Sequence, residues 1–387
     1  MPYTGPEPAR RPLSSDDITD GIVSTADLAD SAVTAAKVSS DVSQLGKNLI
    51  TNGAMTVAQR GTSANIGASP VFTLDRWRWA QSSGTNGTME QWSTAPTGFG
   101  SSLRINPSNA QTPGAAEYNI VGQRIEAQNL QHLLYGTASA KDLTLQFRVR
   151  SPKTGTHTFA AYQNDKAGGR LYVGTYTVAV ADTWELITHT IPGDASGQID
   201  NDTGNGFDIV WNVGSGSNYE TGTVNAWQTS ASFLYSTSGA ANCLDDAAKD
   251  FAIAGVQLEV GSVATDFEHE DYGTTLAKCQ RYLEIAGGEA DAFLAVAQCR
   301  TTTAADAVFR FQVKKRAAPT ATVTNATSFI VQQAGGGGQA ITALSASIID
   351  PYGCRFDITV AANLVAGNAT LLRTNSAAQK ITFSAEL

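Results

Sequence analysis

Short runs of alternating apolar and polar residues fill the chain between residues 48 and 271. In 143–150 the apolar positions are Leu143, Leu145, Phe147 and Val149, with polar residues between them. Because successive side chains of a strand point to opposite faces of a sheet, a period of two predicts a strand with one buried face. Roughly eleven such runs, separated by Gly, Asn, Ser and Pro, predict two packed sheets that form a jelly-roll β-sandwich.

One later stretch breaks this alternation. In YGTTLAKCQRYLEIA (272–286), Leu276, Leu283 and Ala286 fall near helical spacing, and a Gly-Gly pair follows. Because glycine commonly ends a helix, the pattern predicts a short helix that links two β regions. Alternating runs then resume and predict a second, smaller β-sandwich.

The N-terminal residues follow neither pattern. Residues 1–16 contain four prolines, and DITDGIVSTA (17–26) is followed directly by the similar DLADSAVTAA (27–36). Branched apolar residues recur at every fifth position in this region: Ile18, Val23, Leu28, Val33 and Val38. A period of five fits neither a helix nor a strand, so we expect an extended segment that is wound together with copies of itself. A flexible low-complexity linker is the alternative.

The predicted fold class is therefore all-β. Composition agrees, because only 16% of the residues are charged and 36 are glycine, which favours many strands joined by many turns. The predicted organisation has four parts: an extended N-terminal anchoring segment (1–47), a jelly-roll β-sandwich (48–271), a linking helix (272–288) and a smaller C-terminal β-sandwich (289–387).

Charge and hydropathy exclude two classes of partner. The net charge of -9 offers no basic stripe that could neutralise phosphates, so we expect no nucleic acid partner. No stretch approaches the ~20 apolar residues that span a bilayer, and the first thirty residues hold no apolar run typical of a secretion signal, so we expect no membrane insertion. The four cysteines are far apart and form no metal-binding motif, which predicts free and mostly buried thiols.

Three passages resemble a widespread group of bacteriophage tail fibre or receptor-binding proteins with a carbohydrate-binding-module-like jelly roll. They are the leader DDITDGIVSTADLADSAVTAAKV, the entry NLITNGAMTVAQRGTS with FTLDRWRWAQ, and the exit AIAGVQLEVGSVATDFEHEDYGTTLAKCQRYL. The terminal SAEL is also familiar in the group. The resemblance covers 17–95 and 250–290 well, and the middle of the chain by strand pattern alone.

The resemblance implies a homotrimeric virion component of the tail, assembled in the host cytoplasm. Its N-terminal segment would bind other tail or baseplate proteins, and its β domains would face a bacterial surface glycan or protein. We expect the trimer contacts to involve the five branched residues of the leader together with Leu276 and Leu283 of the predicted helix.

The residues also allow two other functions. A purely structural tail or baseplate subunit would use the same framework without host contact. A glycan depolymerase would need a pair of carboxylates, for which Asp245 and Glu268 are candidates, but these acids are poorly organised in the sequence. Because no nucleophile or zinc motif is present either, we expect an adhesin and no enzyme.

Two weak binding hypotheses remain. Aromatic rings exposed in a region rich in Gly, Ser and Asn could stack on sugars, and the candidates are Trp211, Tyr219, Trp227 and Tyr235. The loop DASGQIDNDTGNG (194–206) places oxygens at close positions, as calcium loops do, with Asp200, Asp202 and Asn205 as candidate ligands. An Asx-rich turn is the alternative for this loop. Beyond calcium we expect no cofactor.

Overall fold

The computed structural model describes residues 46–165, 169–229, 232–333 and 338–387. It confirms the all-β prediction. The first half forms a jelly-roll sandwich of two antiparallel sheets. The six-stranded sheet contains, in spatial order, β1 (Ser63–Asn65), β4 (Gly87–Trp92), β5 (Ser102–Pro107), β13 (Phe251–Val260), β7 (Leu143–Arg150) and β10 (Trp184–Ile191). The seven-stranded sheet contains β12 (Trp227–Thr229), β9 (Arg170–Val178), β8 (Gly155–Gln163), β11 (Asn205–Ser215), β6 (Tyr118–Glu126), β3 (Arg78–Gln81) and β2 (Val71–Phe72).

The alternating positions build the core between these sheets. The four apolar residues of β7 are all fully buried, as their period of two predicts. Aromatic rings fill the middle of the sandwich, where Trp211 lies 5.8 Å from Trp77 and 5.2 Å from Phe147 between ring centroids. Such rings bury large apolar areas, so burial of this layer is the main stabilising contribution to the sandwich.

The C-terminal β domain closes on itself. Its barrel consists of β15 (Phe293–Cys299), β16 (Ala304–Arg310), β20 (Gly353–Val360), β19 (Gly338–Asp350), β18 (Phe329–Gln333) and β21 (Ala369–Thr374). A three-stranded sheet of β14 (Leu283–Gly287), β22 (Lys380–Ser384) and β17 (Thr320–Val323) packs against it. Phe383 of that sheet stacks on Phe309 of the barrel at 5.3 Å, so sheet and barrel share one core.

The linking helix is shorter than its sequence pattern predicts. Helix α1 spans Tyr272–Gln280, and Asp271 caps it by accepting a hydrogen bond from the backbone N–H of Thr274 at 3.0 Å. The prediction that the helix runs to Ala286 is wrong, because β14 begins at Leu283. Pairing with the C-terminal strand β22 satisfies the backbone there, and Leu283 lies opposite Ser384. Three short 3₁₀ helices complete the described elements, at Ala127–Leu133, Ser217–Tyr219 and Ala326–Ser328.

A buried ionic contact joins the end of the chain to the jelly roll. The guanidinium of Arg76 pairs with the carboxylate of Glu386, and the side chains are only 2% and 7% exposed. Arg76 also lies 3.5 Å above the ring of Tyr282 and donates to the carbonyl of Arg124 in β6. Its φ of 73° lies in the left-handed region that side chains rarely adopt, so these contacts also hold an unfavourable backbone conformation.

A second ion pair reinforces the junction. Arg281 binds Glu126 of β6 through two hydrogen bonds of 2.6 and 2.7 Å. Burial alone would raise the pKa of Glu126, but hydrogen bonds with Arg281 and Tyr282 and the charges of Arg281 and Arg76 together hold the pKa below its usual range. The segment after α1 is therefore fixed to the jelly roll on one side and to the C-terminal sheet on the other.

The cysteine prediction is confirmed, since Cys243, Cys279, Cys299 and Cys354 are all free and buried. Within the described ranges, no helix has both the length and the apolar character to cross a membrane.

We predict that Glu386→Gln destabilises the jelly roll by about 3 kcal/mol, because it leaves the buried charge of Arg76 unpaired. All six tryptophans lie between residues 77 and 227, so tryptophan fluorescence during urea denaturation reports on the jelly roll alone. Asp245→Asn is the matched control: it removes a carboxylate of the jelly roll that pairs with Lys153 but is 39% exposed, and it should change stability by less than about 0.5 kcal/mol. An unchanged midpoint for Glu386→Gln would contradict the coupling between the two β domains.

We also predict a pH dependence at the same junction. Burial raises the pKa of Asp75 from 3.8 to about 6, against the hydrogen bonds from Gln59 that favour the carboxylate. A carboxyl group with a raised pKa contributes stability that is present below its unfolded pKa and is lost as pH rises through its folded pKa. Between pH 3 and pH 7 the native chain should therefore lose on the order of 3 kcal/mol relative to Asp75→Asn. Denaturation curves of both proteins across this range measure the difference, and parallel pH profiles would refute the shift.

Candidate ligand-binding face

The two faces of the seven-stranded sheet contact different apolar clusters. In β11, Ile209 and Trp211 belong to the core between the sheets, whereas Val210 belongs to a second cluster on the opposite side. In β8, Phe159 points to the core and Ala160 to that second cluster. The side of this sheet that faces away from the core, called here the outer face, therefore has its own apolar layer. The layer consists of Ala80, Ile120, Ala160, Tyr162, Leu171, Val173, Val210 and Tyr235.

Residues 217–236, called here the covering segment, lie over part of the outer face; residues 230 and 231 are outside the described ranges. The backbone N–H groups of Tyr235 and Ser236 both donate to the carbonyl of Tyr219, at 2.9 and 3.0 Å, which closes the segment into a loop. The N–H of Asn225 donates to the carbonyl of Val173 in β9 at 2.8 Å. These bonds fix the described parts of the segment on the sheet by their main chain.

Five aromatic rings meet where the covering segment crosses the sheet, and we call them the aromatic cluster: Tyr118, Tyr162, Tyr219, Phe233 and Tyr235. The centroid of Tyr118 lies 5.1 Å from that of Tyr219 and 5.4 Å from that of Tyr235. Tyr162 lies 4.3 Å from Phe233. The planes of Tyr219 and Phe233 are inclined by only 21° and 17° to that of Tyr235. Three nearly parallel rings thus follow one another along the cluster.

The cluster is graded in exposure. Tyr162 and Tyr235 are buried, Tyr118 and Tyr219 are half-buried, and Phe233 is 43% exposed. Burial raises the pKa of Tyr162 and, more strongly, that of Tyr235, so both hydroxyls stay protonated near neutral pH. The buried rings therefore support the exposed ones, and the surface combines apolar ring area with neutral hydroxyl groups. This combination suits a ligand that has both apolar and hydroxylated faces.

A charged group borders the aromatic cluster. Asp208 of β11 lies directly opposite Tyr162 of β8 on one side and Arg124 of β6 on the other. Its Oδ2 accepts from Nη2 of Arg78 at 3.0 Å and lies 3.4 Å from Nε of Arg124. Burial lowers the pKa of Arg78, and Asp208 opposes that shift. Two guanidinium groups thus share one carboxylate beside the rings.

The outer side of the six-stranded sheet differs, because ion pairs of the chain occupy it. Arg104 and Arg150 lie over the ring of Trp92, at 4.7 and 5.5 Å from its centroid. Both arginines also pair with Asp250. Trp92 is thus engaged by the chain's own cations, and the outer face of the seven-stranded sheet is the better candidate for a ligand.

The aromatic candidates from the sequence divide into two groups. Tyr219 and Tyr235 come together in the aromatic cluster, although Tyr235 is only 7% exposed. Trp211 is not a surface ring: it is fully buried, because its strand turns it toward the core between the sheets. Trp227 is half-buried, contacts Tyr172 at 5.6 Å and donates from Nε1 to the carbonyl of Pro192 at 2.6 Å, so it packs at the core edge.

The calcium hypothesis has no ligand cluster to support it in the described ranges, where no three His, Cys, Asp or Glu side chains converge on a metal position. Asp202 accepts the backbone N–H of Gly204 at 2.7 Å, as in an Asx turn. The side-chain amide of Asn205 donates to Asp208. Asp200 is held by its main chain, whose carbonyl accepts from the side-chain amide of Gln131 and whose N–H donates to the carboxylate of Asp165. Calcium binding stays a prediction.

The two carboxylates considered for hydrolysis bind different structural partners. Asp245 pairs with Lys153 at 2.8 Å on the surface. Glu268 accepts the backbone N–H of Asn48 at 2.9 Å and thereby joins the segments that enter and leave the jelly roll. Each therefore has a local structural partner.

The residues predicted to form the trimer interface differ in where they lie. Ile18, Val23, Leu28, Val33 and Val38 lie outside the described residues. Leu276 is half-buried on α1, where it remains available for a contact. Leu283 is fully buried in β14, so its assignment to a trimer interface is wrong.

The sequence patterns did not identify six residues of the outer face: Arg78, Tyr118, Arg124, Tyr162, Asp208 and Phe233. The alternation within the strands contained a usable signal, because Tyr162 of β8 and Asp208 of β11 lie on the sheet face opposite to the residues that point into the core. The position of Phe233 depends on how the covering segment folds back, which no local pattern encodes.

No model of a known protein family matches the sequence, and no curated protein matches it. Solved structures with low similarity include a family 11 carbohydrate-binding module from a cellulosomal cellulase of Clostridium thermocellum, with 15% identity over 55% of this chain and 99% of that chain, at a TM-score of 0.28. A putative sugar binding protein from Bacteroides thetaiotaomicron has 14% identity over 55% of this chain and 99% of that one, at a TM-score of 0.32. The enzymatically active domain of tailspike protein 4 of bacteriophage CBA120 has 13% identity over 55% of this chain and 21% of that one, at 0.29. TM-scores below 0.5 are too low for these similarities to indicate a shared function.

Proposed function

We propose that the chain is a structural and adhesive subunit of a phage tail fibre that binds a bacterial surface glycan without cleaving it. The observation that carries glycan binding is the aromatic cluster on the outer face, in which two buried tyrosines support half-buried and exposed rings. Aromatic rings stack on the apolar faces of sugars, and the neighbouring hydroxyl and charged groups can bind sugar hydroxyls. The place in the tail rests on the resemblance of the leader, entry and exit passages to tail fibre proteins.

The mechanism that we propose is avidity. A single shallow face with one strongly exposed ring supplies a weak contact. In a homotrimer, three identical faces act at high effective concentration, which can strengthen attachment by about 10²–10⁴ without any new contact. The N-terminal segment would hold the trimer on other tail or baseplate proteins.

The fixed junction between the β domains fits a fibre subunit with or without host contact, because the buried pair of Arg76 and Glu386 holds the C-terminal β domain on the jelly roll. A purely structural subunit would need the same junction but not the aromatic cluster. The cluster is the feature that favours the adhesin.

We predict that Phe233→Ala weakens binding to bacterial surface polysaccharides by at least about tenfold, since one lost aromatic contact corresponds to roughly 1.5 kcal/mol. The measurement is binding of the purified full chain to an array of such polysaccharides and to intact cells, with the mass of the same sample determined by light scattering. Phe293→Ala is the matched control, because Phe293 is a 65% exposed phenylalanine on the C-terminal barrel.

A trimeric mass with saturable binding that Phe233→Ala reduces and Phe293→Ala leaves intact is the expected result. A trimer that binds neither polysaccharides nor cells would favour the purely structural subunit. A monomer would contradict the fibre assignment, and shortening of the bound polysaccharide would contradict the absence of catalysis.

A further inference from the structure

We infer that the glycan bound on the outer face carries an anionic group, a carboxylate or a phosphate, which Arg124 recognises beside the aromatic cluster. This inference rests on the proposed function and adds the chemical class of the sugar. It starts from the local charge: two guanidinium groups share the single carboxylate of Asp208. The group therefore has one positive charge in excess, in a chain whose net charge is -9.

The two arginines differ in how they use Asp208. The side chain of Arg78 is 13% exposed and lies 3.0 Å from the carboxylate, so this largely buried guanidinium neutralises the charge of Asp208. The side chain of Arg124 is 31% exposed, and its Nε lies at the longer distance of 3.4 Å. Asp208 itself is only 4% exposed and also accepts the side-chain amide of Asn205. The guanidinium that solvent reaches is therefore that of Arg124, while the carboxylate lies beneath it.

The neighbouring acid does not cancel this charge. Asp165 lies just beyond the end of β8, three residues after Tyr162, but its Oδ2 accepts the backbone N–H of Asp200 at 3.0 Å. It is thus turned toward the loop before β11. Burial lowers the pKa of Arg78 most, and the only carboxylate among the charged groups that act on this pKa is that of Asp208.

The position of the charge matches a sugar that stacks on the rings. Arg124, Asp208 and Tyr162 stand in one row across three neighbouring strands. Tyr162 in turn supports Phe233 at 4.3 Å. Two strand spacings, roughly 10 Å, separate the backbones of Arg124 and Tyr162, so an oligosaccharide stacked on Phe233 could extend along this row to the guanidinium of Arg124. The planar fork of arginine binds carboxylate and phosphate groups through paired hydrogen bonds, whereas it gains little from a neutral sugar hydroxyl.

The test compares the full-length native chain with Arg124→Gln and with Arg300→Gln. The control arginine is 53% exposed and pairs with one carboxylate, Asp306, on the C-terminal barrel. The probes are an array of bacterial oligosaccharides that includes uronic acid, phosphorylated and neutral members, and methyl-esterified copies of the uronic acid members. Each ester keeps the sugar ring but has no charge.

We expect the native chain to bind acidic members and to lose roughly tenfold or more in affinity for their uncharged copies. Arg124→Gln should remove this preference and the salt dependence of binding, and it should retain the weak binding of the esters. Arg300→Gln should behave as the native chain does. Binding of uronic acid or of phosphorylated members distinguishes the two sources of the charge.

Two outcomes would overturn the inference. If the native chain binds only neutral members of the array, or if Arg124→Gln keeps the preference for acidic members, the inferred anionic specificity is wrong. The proposed glycan binding would still stand. If Phe233→Ala and the native chain alike bind no member, the proposed glycan binding itself fails.

Discussion

The buried guanidinium of Arg76 is the contact on which the arrangement of the described chain depends. A charge this deeply buried is tolerated only when partners satisfy it, and three parts of the molecule supply them: the carboxylate of Glu386, the ring of Tyr282 and the carbonyl of Arg124. The C-terminus is thus held against the strand that carries the exposed arginine of the outer face. Arg78 follows two residues after Arg76, so the same contact helps to position both arginines of the candidate site.

Much of the architecture could be predicted from local pattern. The period of two in β7 identifies a strand and its buried face, because sheet geometry imposes that period directly. The helix was harder to delimit, since Leu283 and Ala286 fit helical spacing although both lie in a strand. Pairing of β14 with β22, which is almost a hundred residues away in sequence, decided between them. Closure of the C-terminal strands into a barrel is likewise a long-range property that no single run of residues encodes.

The candidate site was only partly predictable for a related reason. Composition pointed to the region of Tyr219 and Tyr235, but it could not separate these residues from Trp211. The side chain of Trp211 points into the core because of its position in the alternation of β11. The rings that complete the cluster come from β6, β8 and the covering segment, so their proximity depends on sheet order. The sandwich provides one rigid sheet as a platform, and the covering segment provides the exposed ring, as is common where loops carry function on a fixed scaffold.

Hydrogen–deuterium exchange of the native chain, with and without a bound bacterial surface polysaccharide, tests the central claim most directly. The claim is that the outer face of the seven-stranded sheet binds the glycan. Protection should appear in peptides from the covering segment and β8, and it should be absent from β4, whose Trp92 is held by ion pairs on the other sheet. Protection confined to β4 or to the C-terminal barrel, with the covering segment unchanged, would contradict the account.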